Sequence, residues 1–335
     1  MKNNIACATR ADVAKLAGVS ETVVSYVIND NRYVEKTKRA RVLAAIDELH
    51  YQPNSIARAM KGKGSKHIMF IADHFSNGNF GELLSKLDTY AYQEKCFLSL
   101  CTNRDDEEFI RQLISRRLDG IIISSVSFLE SRIQQLIDAG IPVVLLKNRD
   151  YNNVHGAGMV STGLYQGAGA AVQYLYDKGR RHFLYIDRMS TRNHFSTMED
   201  FRLRGFADKM DELGLDWKTR VITGCASSDE VVATIQSFME HSPVDTIFAR
   251  NDNMACLGLQ AVVQSGRLVP QDISVMGFDS TDISRYVSPS LTTMEVEKEA
   301  VAKAAIQMLI DIREGKPLND EGLLFPTKLI ERQST

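Results

Sequence analysis

Residues 9–30, TRADVAKLAGVSETVVSYVIND, predict two short helices joined by a glycine turn. Thr9 and Asp12 have the spacing of a capping box, so we expect the first helix to begin at about residue 10. Gly18 follows the apolar residues of that helix and can adopt the left-handed conformation that ends a helix. Ser20 can cap a second helix. The stretch therefore predicts a helix-turn-helix near the start of the chain.

The second of these helices has two different faces. The face predicted to be buried holds four β-branched residues, namely Val23, Val24, Val27 and Ile28. The opposite face carries polar, mostly short side chains and one tyrosine, namely Glu21, Thr22, Ser25, Tyr26 and Asn29. Such a face suits the edges of bases in a major groove, whereas a solvated helix usually shows Lys and Glu there. A third helix, predicted over about 35–49, completes a small bundle, and a purely structural three-helix corner is the alternative.

Residues 53–65, PNSIARAMKGKGS, connect this bundle to the rest of the chain. Pro53 is allowed at the first position of a helix, but the helix-compatible part is too short to form a helix unaided. The segment needs a partner in order to fold, and Arg58, Lys61 and Lys63 make a phosphate backbone the natural one. It is in either case an inter-domain linker.

Charge and composition are those of a globular protein with a basic front end. Residues 1–65 hold 11 Lys and Arg against 6 Asp and Glu, although the whole chain of 335 residues has a net charge of −2. The excess suits a polyanion, but a solvated face can also carry it. The five cysteines form no C-x-x-C pair and indicate reduced thiols, so we expect no metal and no cofactor. No stretch has the pattern of a signal peptide or a membrane helix, which predicts a cytoplasmic protein.

From residue 66 onward, apolar strands alternate with amphipathic helices. The strand candidates span residues 67–72, 96–100, 120–124, 142–146, 182–187, 220–224, 246–250 and 273–278. Helices of ten or more residues fit between most of them, which predicts parallel sheets covered on both faces. Because two such series follow each other, we expect two similar α/β lobes.

The segments ATRADVAKLAGVSETVVSYVIND (8–30) and RVLAAIDELHYQPNSIARAMKGK (41–63) resemble the DNA-binding headpiece and hinge helix of the lactose and galactose repressor (LacI/GalR) family. The resemblance continues with short breaks to the C-terminus. It implies an α/β two-lobed core like that of periplasmic binding proteins behind an N-terminal all-α helix-turn-helix headpiece. It also implies a homodimer on palindromic double-stranded DNA, with the second helix in the major groove and the hinge helix in the minor groove.

The resemblance also implies which residues contact DNA. They are Thr9, Ser20, Glu21, Thr22, Ser25, Tyr26, Asn29, Tyr33, Asn54, Arg58, Met60 and Lys61. Met60 falls where the family has an apolar wedge between base pairs. Tyr26 stands where many relatives have an arginine, so a bidentate contact to guanine is missing and the operator sequence cannot be carried over.

Three domains are expected on the same grounds. Residues 1–52 would form the headpiece, 53–65 the hinge helix and linker, and 66–335 the effector-binding and dimerisation core. The first lobe of the core would contain about 66–163 and 292–322, and the second lobe about 164–291 and 323–335. The chain would thus cross between the lobes three times.

Ligands of such sheets bind beyond the carboxyl ends of the strands. The family motifs place effector contacts at Asn79, Phe80, Lys147, Ser196, Arg202, Asn251 and Asp279. Asp279 and Arg202 also have a chemical reason, because a carboxylate accepts from paired hydroxyls and a guanidinium donates to ring or carboxylate oxygens. An ordinary surface salt bridge of Arg202 and a core position of Phe80 are the structural alternatives.

Lys147 departs from the family, which commonly has an acidic residue there. If Lys147 faces the cleft together with Arg202, a ligand with a carboxylate or a phosphate suits the site better than a neutral sugar does. A lysine at a strand end can also extend into solvent, so the ligand class stays open.

Catalytic patterns are weak in this chain. Residues 167–172, GAGAAV, form a partial dinucleotide fingerprint in which Val172 replaces the third glycine, and the residues just before it make a poor strand. No G-x-S-x-G or phosphate-binding loop is present. We therefore expect a ligand-responsive, homodimeric repressor of carbohydrate-utilisation genes, and a dimer and not a tetramer because no heptad run follows the core. The rival is a cytosolic sugar-binding protein or sugar-metabolism enzyme whose headpiece contacts proteins.

Overall fold

The protein divides into two compact units, Met1–Ser65 and Lys66–Thr335. The computed structural model describes residues 8–52, 64–73, 75, 78–104, 106–191, 193–319 and 322–335. The predicted hinge helix lies outside these residues, as do four of its expected DNA contacts, Asn54, Arg58, Met60 and Lys61.

The first unit is a three-helix bundle. Its helices are α1 (Arg10–Ala17), α2 (Glu21–Asn29) and α3 (Lys36–Glu48). Its core is small and largely made of valine and alanine, with Val13, Ala14, Ala17, Val24, Val27, Val34, Val42, Ala45 and Tyr51. The three predicted helices are confirmed, although Val23 and Ile28 are only half-buried at the edge of this core.

Local chemistry sets the ends of these helices as the sequence predicts. The Thr9 backbone N–H donates to Asp12 Oδ2 (2.8 Å) and the Asp12 N–H donates to Thr9 Oγ1 (3.3 Å), which closes the capping box. Gly18 ends α1 in the left-handed region, with a φ of 61°. Ser20 Oγ accepts from the Val23 N–H (3.4 Å) at the start of α2. Thr9 and Asp12 therefore fix the start of α1, and Gly18 and Ser20 fix the turn between α1 and α2.

The first sheet of the second unit is parallel throughout. Its strands are β1 (His67–Ala72), β2 (Phe97–Thr102), β3 (Gly120–Ser124), β4 (Val143–Lys147), β5 (Gly158–Ser161) and β11 (Leu323–Leu324). They lie in the order β11-β5-β4-β3-β1-β2. Apolar clusters cover both faces of the sheet, as expected for parallel strands.

The second sheet has the same size and a similar order. Its strands are β6 (Phe183–Ile186), β7 (Val221–Ile222), β8 (Thr246–Ala249), β9 (Ser274–Asp279), β10 (Thr292–Glu295) and β12 (Lys328–Ile330). They lie in the order β12-β10-β9-β8-β6-β7, and β12 is antiparallel to β10. The prediction of two α/β lobes is confirmed, with one antiparallel edge strand that the sequence did not indicate.

Nine helices of the described residues cover these sheets. They are α4 (Gly78–Gln93), α5 (Glu107–Ser115), α6 (Glu130–Asp138), α7 (Leu164–Asp177), α8 (Phe201–Glu212), α9 (Ser228–His241), α10 (Asp252–Gln264), α11 (Ile283–Tyr286) and α12 (Lys298–Arg313). Within the part of the chain that the structure describes, no helix has the length and apolar character needed to cross a bilayer.

The chain crosses between the lobes at two places that differ from the expected ones. We expected 292–322 in the first lobe and 323–335 in the second. In the structure β10 belongs to the second sheet and β11 to the first, so the chain crosses after residue 295 and again after residue 324. The sequence did not reveal this, because both strands are short and neither has a long apolar run; β11 is an edge strand, whereas β10 lies between β9 and β12.

The glycines of residues 167–172 pack helices and do not open a phosphate-binding turn. A strand, β5, does precede α7, contrary to our expectation, but the glycines lie inside the helix. A Cβ on Gly167 would meet Thr327 Oγ1 at 2.3 Å, and a Cβ on Gly205 of α8 would meet the Tyr165 carbonyl oxygen at 2.2 Å. Close packing of α7 against its neighbours therefore explains Gly167 and Gly205 without a dinucleotide.

Candidate functional site

The helix-turn-helix unit presents part of its predicted DNA-reading face to solvent. Glu21, Thr22 and Asn29 are exposed, and Ser25 and Tyr26 are half-buried. The Arg32 guanidinium lies 5.2 Å from the centre of the Tyr26 ring, which brings a cation next to this face. The face thus combines hydrogen-bonding groups with one nearby positive charge.

Three further predicted DNA contacts, and Asn29 from the same face, differ in how far their side chains are engaged within the unit. Thr9 and Ser20 are helix caps, so part of their hydrogen-bonding capacity is used within the unit. Tyr33 is 89% exposed, far more than a core tyrosine would be. Asn29 Nδ2 donates to the Ser25 carbonyl oxygen at 2.7 Å. Contact of these residues with DNA stays a prediction.

The second unit has a cleft where the carboxyl ends of strands from both sheets meet. The first lobe supplies five polar residues, Asp73, Ser124, Lys147, Asn148 and Thr162. The loops after β6 and β8 of the second lobe supply Arg188, Arg250 and Asn251. The cleft contains about 820 Å³ of space between atoms, including space open to solvent. This is the place where ligands of open parallel sheets bind.

Two arginines of the second lobe share one buried carboxylate. Asp200 Oδ2 accepts from Arg250 Nη2 at 2.7 Å and from Arg188 Nη2 at 3.0 Å. Burial alone would raise the pKa of Asp200, but Arg250 and Arg188 outweigh burial and lower this pKa to about 2. Burial and the neighbouring Arg250 also lower the pKa of Arg188. The two guanidinium groups are thus anchored on one shared carboxylate, while Asp187 lies 3.9 Å from Arg250 and Asp73 lies 3.9 Å from Arg188.

Asp187 holds the loop that carries Ser196. It accepts from the Ser196 N–H (2.9 Å), from Ser196 Oγ (2.6 Å) and from Thr223 Oγ1 (3.2 Å). Arg250 Nη1 in turn donates to Ser196 Oγ at 2.7 Å. Ser196 thus orients Arg250, and its direct contact with a ligand stays a prediction.

Arg202 is held by a second buried carboxylate. It forms a salt bridge with Asp279, which is fully buried, and the Arg202 guanidinium lies 4.6 Å from the centre of the Phe278 ring. Lys298 Nζ donates to the Asp279 carbonyl oxygen (2.7 Å) and pairs with Glu82 (2.8 Å). Arg202 lines the cleft, whereas Asp279 lies behind it and acts through Arg202.

Lys147 faces the cleft without a carboxylate partner. It is half-buried at the end of β4, and its Nζ lies 5.9 Å from the centre of the Phe201 ring. Among the described residues no Asp or Glu oxygen lies within 4.0 Å of Nζ, in contrast to Arg188, Arg202, Arg250 and Lys298, which all have one. Within the part of the chain that the structure describes, Lys147 is therefore a positive charge without a neighbouring carboxylate.

Asn251 and Asp252 begin α10 in different ways. Asn251 Oδ1 accepts from the Met254 N–H at 2.9 Å, so it caps the helix while it also lines the cleft. Asp252 accepts from the Thr281 N–H (2.6 Å), Thr281 Oγ1 (2.9 Å) and Thr293 Oγ1 (2.6 Å). Burial raises the pKa of Asp252 to about 6 although these hydrogen bonds act against it. Asp252 thus ties α10 to β9 and β10 and does not cap the helix.

The structure brings together Phe80, Lys147, Arg202 and Asn251 of the predicted effector residues. Phe80 fits both the effector-contact and the core interpretation, because its ring lies at the cleft and packs edge-on against Phe70, with ring centres 5.9 Å apart. Asn79 lies in the first turn of α4, and its side chain is outside the described residues.

Sequence reasoning missed Asp73, Arg188, Arg250 and Lys298. Asp73 and Arg250 directly follow a strand, in the stretches IAD and FAR, and Arg188 lies two residues after a strand, in YIDR. The rule that ligands bind beyond strand ends could have found them, whereas Lys298 begins α12 after a chain crossing that we misplaced. Among the described residues no cluster of His, Cys, Asp and Glu is arranged to hold a metal ion.

The helix-turn-helix unit and the cleft define a DNA-binding protein with a ligand-binding core, and comparison with known proteins agrees. Residues 9–54 match the family described as bacterial regulatory proteins, lacI family. Residues 172–335 match the periplasmic binding protein-like domain. The chain is 32% identical over 317 residues to the HTH-type transcriptional repressor PurR of Vibrio campbellii, covering 91% of each chain.

Solved structures have the same architecture. The lac repressor dimer bound to operator and the anti-inducer ONPF has a TM-score of 0.82, with 22% identity and coverage of 98% of this chain and 99% of that one. A LacI transcriptional regulator from Alkaliphilus metalliredigens, complexed with D-xylulofuranose, has a TM-score of 0.67, with 28% identity and coverage of 81% and 99%. The chain belongs to the LacI family of transcriptional regulators. It is a DNA-binding repressor with an effector-binding domain and not an enzyme.

Proposed function

We propose that the effector is a small anionic molecule, such as a sugar acid or a sugar phosphate, and that the repressor controls carbohydrate-utilisation genes. Lys147 carries this proposal, because it places an unneutralised positive charge in the cleft beside Arg202. A carboxylate or phosphate would accept charge-assisted hydrogen bonds from both groups. The sugar bound by the Alkaliphilus relative supports a carbohydrate framework for the ligand.

The charges around the cleft support an anion at one place. Arg188 and Arg250 share Asp200, so one of their two positive charges is unmatched by that carboxylate. Asp73 lies 3.9 Å from Arg188, but it also accepts from the Val126 N–H (2.9 Å) and Ser127 Oγ (2.6 Å). Arg250 Nη1 also lies 3.9 Å from Asp187, so carboxylates match the charges of the Arg188–Arg250 pair and the surplus positive charge lies at Lys147.

A purine is the second candidate, because the curated relatives are named PurR. A neutral purine would stack on an aromatic ring such as Phe80 and would not need the charge of Lys147. The two candidates therefore differ in how they depend on Lys147.

The test is a binding screen of the full chain against neutral sugars, sugar acids, sugar phosphates and purines, read by thermal shift. We expect an anionic ligand to raise the melting temperature, and Lys147→Gln to weaken its binding by about tenfold or more, as loss of a charged hydrogen bond does. Lys209→Gln is the matched control, because Lys209 pairs with Glu212 on the outer surface. Binding of a neutral sugar or a purine that Lys147→Gln leaves unchanged would contradict the proposal.

We further propose that the repressor is a cytoplasmic homodimer on a palindromic operator, with headpiece, hinge and core at 1–52, 53–65 and 66–335. Each helix-turn-helix would read one half-site. The ligand would act by preferring one arrangement of the two lobes, and a coupling of about 1–3 kcal/mol suffices for a switch. A gel shift on promoter DNA of its own gene, with and without the ligand found above, tests this. A single-copy complex, or no preference for any palindrome, would contradict it.

A further inference from the structure

The amino-terminal edge of the first sheet carries four basic residues. Lys66, Lys95 and the pair Arg116 and Arg117 precede β1, β2 and β3. Lys95, Arg116 and Arg117 are exposed and Lys66 is half-buried. These four residues, here called the basic rim, lie at the end of the lobe opposite the cleft, because the cleft is at the carboxyl ends of the same strands.

Strand pairing places the members of the basic rim side by side. The Phe97 N–H donates to the Lys66 carbonyl oxygen (2.8 Å), and the Asp119 N–H donates to the His67 carbonyl oxygen (2.9 Å). The strands begin in the order β3, β1, β2 across the sheet. Since neighbouring strands are about 4.8 Å apart, the rim spans roughly 10 Å. It is therefore one continuous surface.

The charges of the rim are not neutralised by the protein. Within the described part of the chain, none of its four side chains has an Asp or Glu oxygen within 4.0 Å; Arg116 Nη1 donates to the Gln112 carbonyl oxygen at 3.1 Å. Asp119 lies between the strands, but it is buried and paired with Arg313 (3.1 Å). The exposed Glu94 precedes Lys95, so the rim keeps a net positive charge.

Three of the rim residues have a backbone conformation that favours glycine. The φ angles of Lys66, Lys95 and Arg117 are 56°, 59° and 48°. Lys95 and Arg117 follow the ends of α4 and α5, where glycine is the usual residue. A left-handed conformation is strained for a residue that carries a Cβ, so these positions retain a charged side chain at the expense of stability.

The rim also lies where the chain arrives from the DNA-binding unit. Lys66 is the first residue of the second unit and follows the linker 53–65. A linker of this length spans at most about 45 Å when fully extended. We propose that the basic rim is a second, sequence-independent contact to DNA, which binds phosphates of the duplex that the helix-turn-helix occupies. Each phosphate that it neutralises adds about 0.9 to the slope of log K against log salt.

The corresponding end of the second lobe has a different chemistry. Its arginines donate to backbone carbonyls: Arg180 Nη2 to Pro270 (2.5 Å), Arg220 Nη1 to Pro243 (2.9 Å) and Arg181 Nη1 to Tyr176 (2.7 Å). Arg181 also stacks on the Tyr176 ring, with its Cζ 3.7 Å from the ring centre. These arginines are engaged within the lobe, and Arg181 is a suitable control because it is equally exposed.

The test is the salt dependence of binding of the full chain to a duplex of arbitrary sequence, so that it does not depend on the operator or on the effector. We expect the Arg116→Gln, Arg117→Gln double variant to lower the slope by up to about 1.8 per subunit, and Lys95→Gln alone by about 0.9. Arg181→Gln should leave the slope unchanged. Melting temperatures confirm that each variant is folded.

Two outcomes would overturn the proposal. A slope that is unchanged in both the double variant and Lys95→Gln would show that the rim does not contact phosphates. An equal decrease in Arg181→Gln would show that total charge, and not this surface, sets the slope. The Lys95→Gln variant keeps the test decisive if the double variant fails to fold.

Discussion

The two lobes contribute to the cleft in different ways. On the second lobe, Arg188 and Arg250 are fixed by Asp200, so these groups are positioned before any ligand arrives. On the first lobe, Lys147 is held only by its position near the Phe201 ring. The second lobe therefore supplies groups that are already held in place, whereas under the function proposed above the first lobe carries the residue that sets the ligand class.

Loss of the Asp200 carboxylate should destabilise the second lobe more than any other substitution considered below. Asp200→Asn keeps an oxygen that can cap α8 through the Arg202 N–H (3.0 Å), but it leaves two buried guanidinium groups without their shared charge. We expect the free energy of unfolding to fall by about 3–5 kcal/mol, as for one partner of a buried ion pair. Urea unfolding measures this.

Asp208→Asn is the control on the same helix. Its carboxylate accepts from the Tyr165 hydroxyl (2.9 Å) at the surface, so the substitution should cost less than about 1 kcal/mol. Equal costs at positions 200 and 208 would mean that the second lobe is not held by its buried charges.

The acid side of the stability profile gives an intermediate effect. The pKa of Asp200 is about 2 in the folded protein against an ordinary value of 3.8. A lowered folded pKa stabilises the fold above the unfolded value, and this contribution is lost as the pH falls from about 3.8 towards 2. The advantage of the natural protein over Asp200→Asn should therefore shrink by about 2 kcal/mol across that window, measured by urea unfolding at a series of pH values. A constant difference would contradict the assignment.

A partly exposed salt bridge between the lobes, Arg204 with Asp150, should have the least effect. Arg204 Nη1 lies 2.9 Å from Asp150 Oδ2, and both side chains are about a third or more exposed. We expect Asp150→Asn to cost under about 1 kcal/mol, close to the cost of Glu212→Gln, which breaks the exposed pair with Lys209. A double-mutant cycle with Arg204→Gln isolates the pair. A coupling above about 2 kcal/mol would show that the lobes are locked by charge and would remove the contrast drawn above.

The fold was predictable where a pattern is both local and long. The capping box at Thr9 and the glycine turn at Gly18 depend on neighbours in sequence, so the headpiece helices came out at nearly the right residues. The central strands were visible as apolar runs. Strands β5, β10, β11 and β12 were not, because each is defined by its pairing partner and not by a distinct apolar stretch such as that of the equally short β6 and β8.

The cleft was predictable only in part for a related reason. Strand ends point to a region, but which side chains enter the cleft depends on pairings between distant residues. Asp279 is a clear example: the sequence offers it as a free carboxylate, whereas the structure pairs it with Arg202 and buries it completely. Arg188 and Arg250 were passed over because an arginine after a strand has no special meaning until Asp200 is found beside it.

One hydrogen bond between the lobes has no side chain in it. The Phe201 N–H donates to the Asn148 carbonyl oxygen at 2.9 Å, between the first residue of α8 and the residue after β4. Both groups belong to the backbone, so substitutions at positions 148 and 201 leave this hydrogen bond possible. The exception is proline at 201, which has no N–H to donate. Its amide proton exchanges with solvent when this hydrogen bond opens, as it must when the lobes part. The exchange rate of that single amide proton therefore reports on the opening of the cleft.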